Sequence, residues 1–428
     1  DEEKSSEKIT KENWGKDGAV CCTYEEAKQG YWFGSCWNLP SIPDDEEDSS
    51  SPITARSTVL EYLKQVNELA TTGTIEALDH SKVRFQMTEE DKENYLKAIK
   101  EVLAEQGIDV VTPAILFEAA DIAVQNTKSD VKAKIGLQPG TMNPLHYGHI
   151  SASLAGIIAN ELNLVLLANG GTVPDKPYAA SADIRNSMAR LAAGEEGLKD
   201  WLQVTPVRQE AVDMFSQDQD TLLLAGATES ARRFNMDMAA FIWLFKANPN
   251  VEWTYLVGSD KVAEYGKKNE RGLLVETLGN PQAKAQVVYF ARTGEDIDYD
   301  INIKPYDFME TLWNQGFFKK SPLPSFEDLS ATKIRIALTK GHDNIDGIPL
   351  TESIPTAVLT YIRNNATLLF LYALEINEKD ADKAAKTADK ATAAQGYTGC
   401  ITILKEEKTK QQPAADITSL TKLEQLLE

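Results

Sequence analysis

The chain predicts an α/β fold: a doubly wound parallel sheet, preceded by a helical appendage and followed by a helical extension. Three observations carry this. Between about residues 132 and 365, short and nearly continuous apolar runs alternate with stretches of helical period, as strands covered on both faces require. One such run passes through "LQPGTMNPLHYGHI" (Leu137–Ile150), a loop of glycine, proline and small polar residues that leads directly into a helical stretch. From Arg56 to about Thr127 the apolar residues recur at helical spacing instead.

Taken in order, residues 1–55 are an irregular extension. Its aromatic cluster "YWFGSCW" (Tyr31–Trp37) needs burying, against the main body or another chain. "DDEEDSSSP" (Asp44–Pro52) has the composition of an acidic, solvated linker. Residues 56–131 are helical: Val59, Leu63, Val66 and Leu69 make one stripe. A second helix opens at Thr88, an N-cap candidate with Asp91 in its first turn, and stops at Gly107, with "PAILFEAADIAVQN" as a third. The α/β domain occupies 132–365, with strands expected at "AKIGL" (Ala133–Leu137), "LVLLA" (Leu164–Ala168), "TLLLA" (Thr221–Ala225), "WTYLVG" (Trp253–Gly258) and "QVVYFA" (Gln286–Ala291). After the first strand, Ile150, Leu154, Ile157, Ile158 and Leu162 fall at helical spacing. Residues 366–428 are charged, alanine-rich and helix-prone, forming an exposed helix or an extension that docks on a partner.

The bulk composition narrows the function. A hydrophobic content of 42% and an aromatic content of 8% suit a soluble protein with a sizeable core. A formal net charge of -21 argues against sequence-blind binding to nucleic acid or to an anionic membrane surface, yet permits a small anion in a local basic pocket. No apolar run approaches the roughly 18 residues of a membrane span. The first residue is Asp1, and cytosol and organelle interior (mitochondrion or plastid) both stay open. Cys21, Cys22, Cys36 and Cys400 match no zinc spacing; free thiols and a bridge from Cys36 to Cys21 or Cys22 are the two readings.

The chemistry gathers in two stretches. Four histidines occur in the chain, and His146 and His149 stand three positions apart at the start of a helix. A strand, a glycine-containing loop and a helix start together present backbone N–H groups and the positive end of a helix dipole to an anion. Almost two hundred residues later "DLSATKIR" supplies Ser330, Thr332, Lys333 and Arg335 at the start of another helix. Hydroxyls and a guanidinium fork suit a polyphosphate. Either stretch alone is weak; both, in this order within one α/β domain, are specific.

Together they resemble the nucleotidylyltransferase superfamily. "GTMNPLHYGH" is similar to its (H/T)-x-G-H loop, and "LSATKIR" to its second signature, I-S-S-T-x-x-R. Within the superfamily the likeness is to nicotinamide or nicotinate mononucleotide adenylyltransferases. Their P…K…R…M…LA stretch is echoed by "VPDKPYAASADIRNSMARLA" (Val173–Ala192), their GAD by Gly258, Ser259 and Asp260, and their V-x-R-x-G by "YFARTGED" with Arg292 and Gly294. "IPTAVLTYIRNN" resembles the closing helix, so the likeness spans about 132–365.

The resemblance implies a Rossmann-like sheet and transfer of the adenylyl group of ATP to the mononucleotide, giving the dinucleotide of NAD synthesis and pyrophosphate, with Mg2+ bridging the ATP phosphates. It implies His146, His149 and Lys176 as the catalytic groups, and Gly140, Thr141, Ser330, Thr332 and Arg335 on the ATP phosphates. Gly258 and Asp260 would lie against the nucleotide, and Arg185, Arg292 and Tyr265 against the mononucleotide. Plainer roles stay open beside these: a helix-start residue for His149, a solvated loop lysine for Lys176, an N-cap for Asp260, and structural ion pairs for Arg185 and Arg292. The tryptophans that often stack the pyridine ring in the family have Val207 and the segment around Tyr265 at their positions here. An adenylyltransferase, a nucleotidylyltransferase acting on another phosphorylated substrate, and a fold-retaining subunit or scaffold of a larger assembly or homo-oligomer, joined through its terminal extensions, are the three readings.

Overall fold

The structure, a computed structural model, describes residues 53–107, 113–125, 132–170, 178–217, 229–260, 262, 285–291, 297–326 and 329–387. The aromatic cluster, the acidic linker, the "TLLLA" segment and all four cysteines lie outside them.

Three helices come first. α1 (Ala55–Thr71) starts at a capping box in which the Thr54 hydroxyl accepts from the Ser57 N–H and the Ser57 hydroxyl accepts from the Thr54 N–H. α2 (Glu89–Gln106) has the same device, Thr88 with Asp91, and ends on Gly107 in the left-handed conformation (φ 59°). Both ends stand where local sequence puts them, because caps are short-range chemistry. α3 (Pro113–Val124) starts on proline, whose missing N–H costs nothing in a first turn.

A sheet follows. β1 (Ala133–Gly140), β2 (Leu164–Asn169), β3 (Leu202–Thr205), β4 (Val251–Gly258), β5 (Ala285–Phe290) and β6 (Phe318–Lys320) are all parallel, in the spatial order 3-2-1-4-5-6. This is the doubly wound, Rossmann-like order, and its strand sequence reverses between β1 and β4. The connections include α4 (Tyr147–Asn160), α5 (Ala182–Ala193), α6 (Val207–Gln217) and α7 (Glu229–Ala247). α8 (Tyr299–Asn302) and α9 (Asp307–Asn314) precede β6; α10 (Ala331–Thr339), a small hairpin and α11 (Thr356–Arg363) follow it. The chain divides into two units at Leu369–Phe370, and the second is described as far as the end of α12 (Ala366–Thr387).

The two faces of the sheet bury different partners. Ile135, Leu137, Leu166, Trp253, Tyr255 and Val287 share one cluster with α6, α7 and the buried residues of α2 and α3, among them Tyr95, Ile99 and Leu116. On the other face α4 lies very close. A Cβ at Gly136 would stand 2.8 Å from Val165 Cγ2 and 2.9 Å from Leu162 Cδ1, and one at Gly156 would stand 2.8 Å from Leu256 Cδ1. Gly136→Ala is therefore expected to destabilise the fold by about 1–3 kcal/mol, because Val165 is stiff at χ1 and cannot give way cheaply. Denaturant midpoints check this, and an unchanged midpoint would show that the face has slack. α1 packs on the outer side of α4.

The segment between α1 and α2 is fastened to the sheet's β3 edge. Asn248 brackets Arg84, accepting from its N–H at 3.0 Å and donating to its carbonyl at 2.7 Å. The Thr205 hydroxyl donates to the Phe85 carbonyl, and the Glu210 carboxylate accepts from the Met87 N–H at 2.7 Å. Burial raises Glu210 from 4.5 to about 7, against the pull of the Met87 N–H and Lys92 and with the push of Glu89 and Asp213. The folded state holds this proton more tightly than the unfolded chain does. Its contribution is thus full below pH about 4.5 and is lost as pH rises to about 7. Glu210→Gln keeps an acceptor for Met87 without the charge. It is expected to flatten the fall in stability between those pH values and to gain about 1 kcal/mol at pH 8, a figure discounted for partial exposure. Chemical denaturation from pH 4.5 to 8 measures it, and parallel wild-type and variant curves would dismiss the effect.

Candidate active site

An open α/β sheet takes its ligand in the crevice at the C-terminal ends of the strands where the order reverses, here between β1 and β4. β1 ends at Gly140 and β4 at Gly258, with Ser259 and Asp260 following at once. Thr141, partly exposed, and buried Met142 continue from Gly140, with Met142 at φ 46° in the left-handed region. His146 caps α4, and His149 lies in its first turn.

The two imidazoles lie with ring centroids 3.9 Å apart and planes 41° apart. His146 is 5% exposed, whereas His149 is more open. The His146 N–H points at His149 Nδ1 from 3.4 Å, a long contact. With Nδ1 accepting, the neutral ring carries its proton on Nε2. Beneath the ring the helix is anchored to β1: Gln138 Nε2 donates to the His149 carbonyl at 3.2 Å, and the Ser153 hydroxyl donates to Gln138 Oε1. Gln138 lies one residue past the strand expected at Ala133–Leu137, in the quoted loop, and nothing in the sequence singled it out; the structure continues β1 through it to Gly140.

The second motif meets the first. Ser330 caps α10, its hydroxyl accepting from the Lys333 N–H at 3.2 Å. Ser330 and Thr332 are exposed, while Arg335 is 6% exposed. Arg335 Nη1 donates to the Asn143 carbonyl at 2.6 Å and Nη2 to the Thr332 hydroxyl at 3.2 Å. The guanidinium thus ties the helix carrying Ser330 and Thr332 to the loop that precedes His146. A second tie runs through Ser151, whose hydroxyl donates to the Gly148 carbonyl and accepts from the Phe326 N–H, each at 3.0 Å. At Gly148 a Cβ would lie 3.0 Å from the His146 ring and 3.1 Å from the Phe326 carbonyl, so the motif's glycine is where the two segments cross. Asn143 and Ser151 were not singled out in the sequence, although both stand in or beside the quoted loop.

Arg185 is 1% exposed and spends Nε on the Ala180 carbonyl at 2.8 Å and Nη1 on the Thr141 carbonyl at 2.9 Å. It braces the loop from below. Asn169, at the end of β2 beside Gly140, donates to Asn186 Oδ1 at 2.9 Å, and its own Oδ1 is buried with no partner among the described residues. Val207 is fully buried in the core, so that position faces the interior rather than a ligand. Its neighbour Arg208, also buried, forks onto Asp237 with two bonds of 2.8 Å and donates to the Ala168 carbonyl at 3.1 Å. Lys176, Tyr265, Arg292 and Gly294 lie outside the described residues. No helix among the described residues is long and apolar enough to cross a membrane.

No family model matches the chain. Among curated proteins, a probable nicotinate-nucleotide adenylyltransferase of Gloeobacter violaceus is 27% identical over 233 residues, covering 54% of this chain and 93% of the relative. Two solved structures of Plasmodium falciparum nicotinic acid mononucleotide adenylyltransferase, one complexed with APC and one with NaAD, are 16% identical with a TM-score of 0.35. The match covers 55% of this chain and 97% of each of theirs. By its sheet order and by the sequence it shares with that curated relative, the α/β part of this chain resembles the nucleotidylyltransferase superfamily, and within it the nicotinate mononucleotide adenylyltransferases.

Proposed function

We propose that the α/β unit transfers the adenylyl group of ATP to a pyridine mononucleotide, nicotinate or nicotinamide, releasing pyrophosphate. The observation that carries this is the junction of the two motifs: Arg335 reaching the carbonyl of Asn143 brings the Ser330–Thr332 helix start to the loop that ends in the paired histidines. The curated relative's name supports the same reaction.

In this reading a phosphate oxygen of the mononucleotide attacks the α-phosphorus of ATP. The bond from that phosphorus to the bridging oxygen of the β-phosphate breaks, and its electron pair leaves with pyrophosphate. The nucleophile is already ionised at neutral pH, so no base has to take a proton. What the site supplies is alignment and donors aimed where charge grows. His149 Nε2 donates to the transferring phosphate, and Ser330, Thr332 and the start of α10 hold the pyrophosphate half. Gly140 and Thr141 let the backbone approach the phosphates, Lys176 adds a cation, and Asp260 sits against the nucleotide. His146 backs its partner ring, and Arg185 acts on the loop through the Thr141 carbonyl rather than on the ligand.

Magnesium enters this reading with ATP. Among the described residues no group of three or more His, Cys, Asp or Glu side chains is placed to hold a metal ion, so its ligands would be phosphate oxygens and water. When bound there, it neutralises phosphate charge.

The test is pyrophosphate release by the full chain with magnesium, ATP and each mononucleotide in turn. Release that depends on one of the two mononucleotides is the expected result and names the substrate. ATP binding without release under either would sink the reading and favour the subunit or scaffold role.

A further inference from the structure

The helix before the sheet reaches the catalytic motif itself. α1 precedes the sheet in the chain, yet its start contacts the turn at Leu350–Glu352. Thr54 Oγ1 donates to Glu352 Oε2 at 2.8 Å, and Arg56 Nη1 donates to Glu352 Oε1 at 3.0 Å. Both carboxylate oxygens are therefore held from α1. The next residue, Ser353, offers its carbonyl to the Tyr147 N–H at 3.0 Å. Tyr147 is the first residue of α4, where an N–H has no partner inside the helix and must find one elsewhere. Its side chain is 5% exposed, and the Arg56 guanidinium lies close enough for its charge to act on the phenol. Burial pushes that phenol well above its usual range, with Glu195 and Glu352 adding to the push and Arg56 opposing it. One turn further along α1, the Tyr62 hydroxyl donates to the Pro324 carbonyl at 2.7 Å, on the segment that leads to Phe326 and Ser330.

We propose that α1 is a working part of the phosphate site, with Arg56 as its positioning residue, fixing Tyr147 and so the pose of the adjacent His146 and His149 relative to the Ser330 helix. The first residue of α4 is held at its backbone by Ser353, the neighbour of Glu352, and Glu352 is itself held by Arg56 and Thr54. Glu195, whose carboxyl burial holds high and Arg56 pulls down, is the second carboxyl group that feels the same cation. A displacement of about 1 Å at a reacting group costs up to roughly 100-fold in rate, so a clamp of this kind acts on turnover more than on binding.

This rests on the adenylyl-transfer reading, and the test separates the two. Arg56→Ala and Arg56→Lys are made in the full chain, alone and combined with His149→Ala, together with Tyr147→Phe. Arg56→Ala is expected to lower kcat about 10-fold or more with little change in the KM for ATP. Arg56→Lys restores part of the loss, and Arg56→Ala adds almost nothing once His149 is absent, because it acts through that residue. A merely structural role would instead give losses that multiply in the double variant and a lowered melting midpoint with an unaltered ratio of kcat between Arg56→Ala and Arg56→Lys. Multiplying losses, or a kcat equal to wild type, overturns the proposal. If the wild-type chain shows no turnover with either mononucleotide, the functional reading fails by itself. Amide hydrogen exchange at residues 147–150 then decides about the clamp: faster exchange in Arg56→Ala supports it, and equal exchange overturns it.

Discussion

His149→Ala is expected to slow pyrophosphate release by about 10²–10³-fold, the effect of losing one donor worth about 2.7–4 kcal/mol to the transition state. The magnitude follows from where the side chain stands. Its ring lies tilted against His146, its carbonyl is tied to Gln138, and its helix is anchored through Ser151 and Ser153, so the donor is held before substrate arrives. Such preorganisation is what makes an electrostatic donor effective, because no rearrangement has to be driven during the reaction. The ring is also the more open of the pair. Its loss should leave the fold intact, with a melting midpoint close to wild type and affinity for a non-hydrolysable ATP analogue changed only a few-fold. Single-turnover kinetics with calorimetric binding separate these quantities. A loss confined to binding would mean that His149 holds the ground state and gives the transition state nothing extra.

Arg335→Ala carries the next largest expectation, a fall of about 100-fold in kcat/KM together with a stability loss of about 1.5–3 kcal/mol. Two effects combine here. The buried guanidinium bonds the Asn143 carbonyl and the Thr332 hydroxyl, so truncation leaves the carbonyl without its charged donor and frees the loop ahead of His146. It also removes a buried positive charge from α10. Arg335→Lys should recover little, since an ammonium cannot present two donors at the fork's fixed angle. Denaturant midpoints and initial rates for both variants measure this. Wild-type rates in the lysine variant would reduce Arg335 to a point charge and weaken the view that it joins the motifs.

Much of this was legible before any fold was known, and for local reasons. The N-cap at Thr88, the stop at Gly107, the helix start at Ser330 and the strands expected at 133–137, 164–168, 253–258 and 286–291 follow from short-range chemistry and hydrophobic period, and the structure has strands at 133–140, 164–169, 251–258 and 285–290. The spacing of His146 and His149 announced a shared side of one helix start, and their rings do lie together. The edge strand β6 was not legible, because it has three residues, two of them exposed lysines, and so no apolar run. The sequence likewise could not say that Arg185 turns to backbone carbonyls or that Val207 faces the core.

The sequence by itself determined the four strands β1, β2, β4 and β5, the first caps and the two motifs, since each is encoded within a few neighbouring residues whose propensities, period or capping chemistry agree. Only the tertiary structure decided how the motifs join, Arg335 to Asn143 across 192 positions, and how α1 reaches the site, Arg56 to Glu352 across 296. Bonds between such distant residues leave no period and no spacing in the chain. They exist because the sheet order brings the ends of β1 and β4 together and because helices buried on its two faces have little freedom to sit elsewhere.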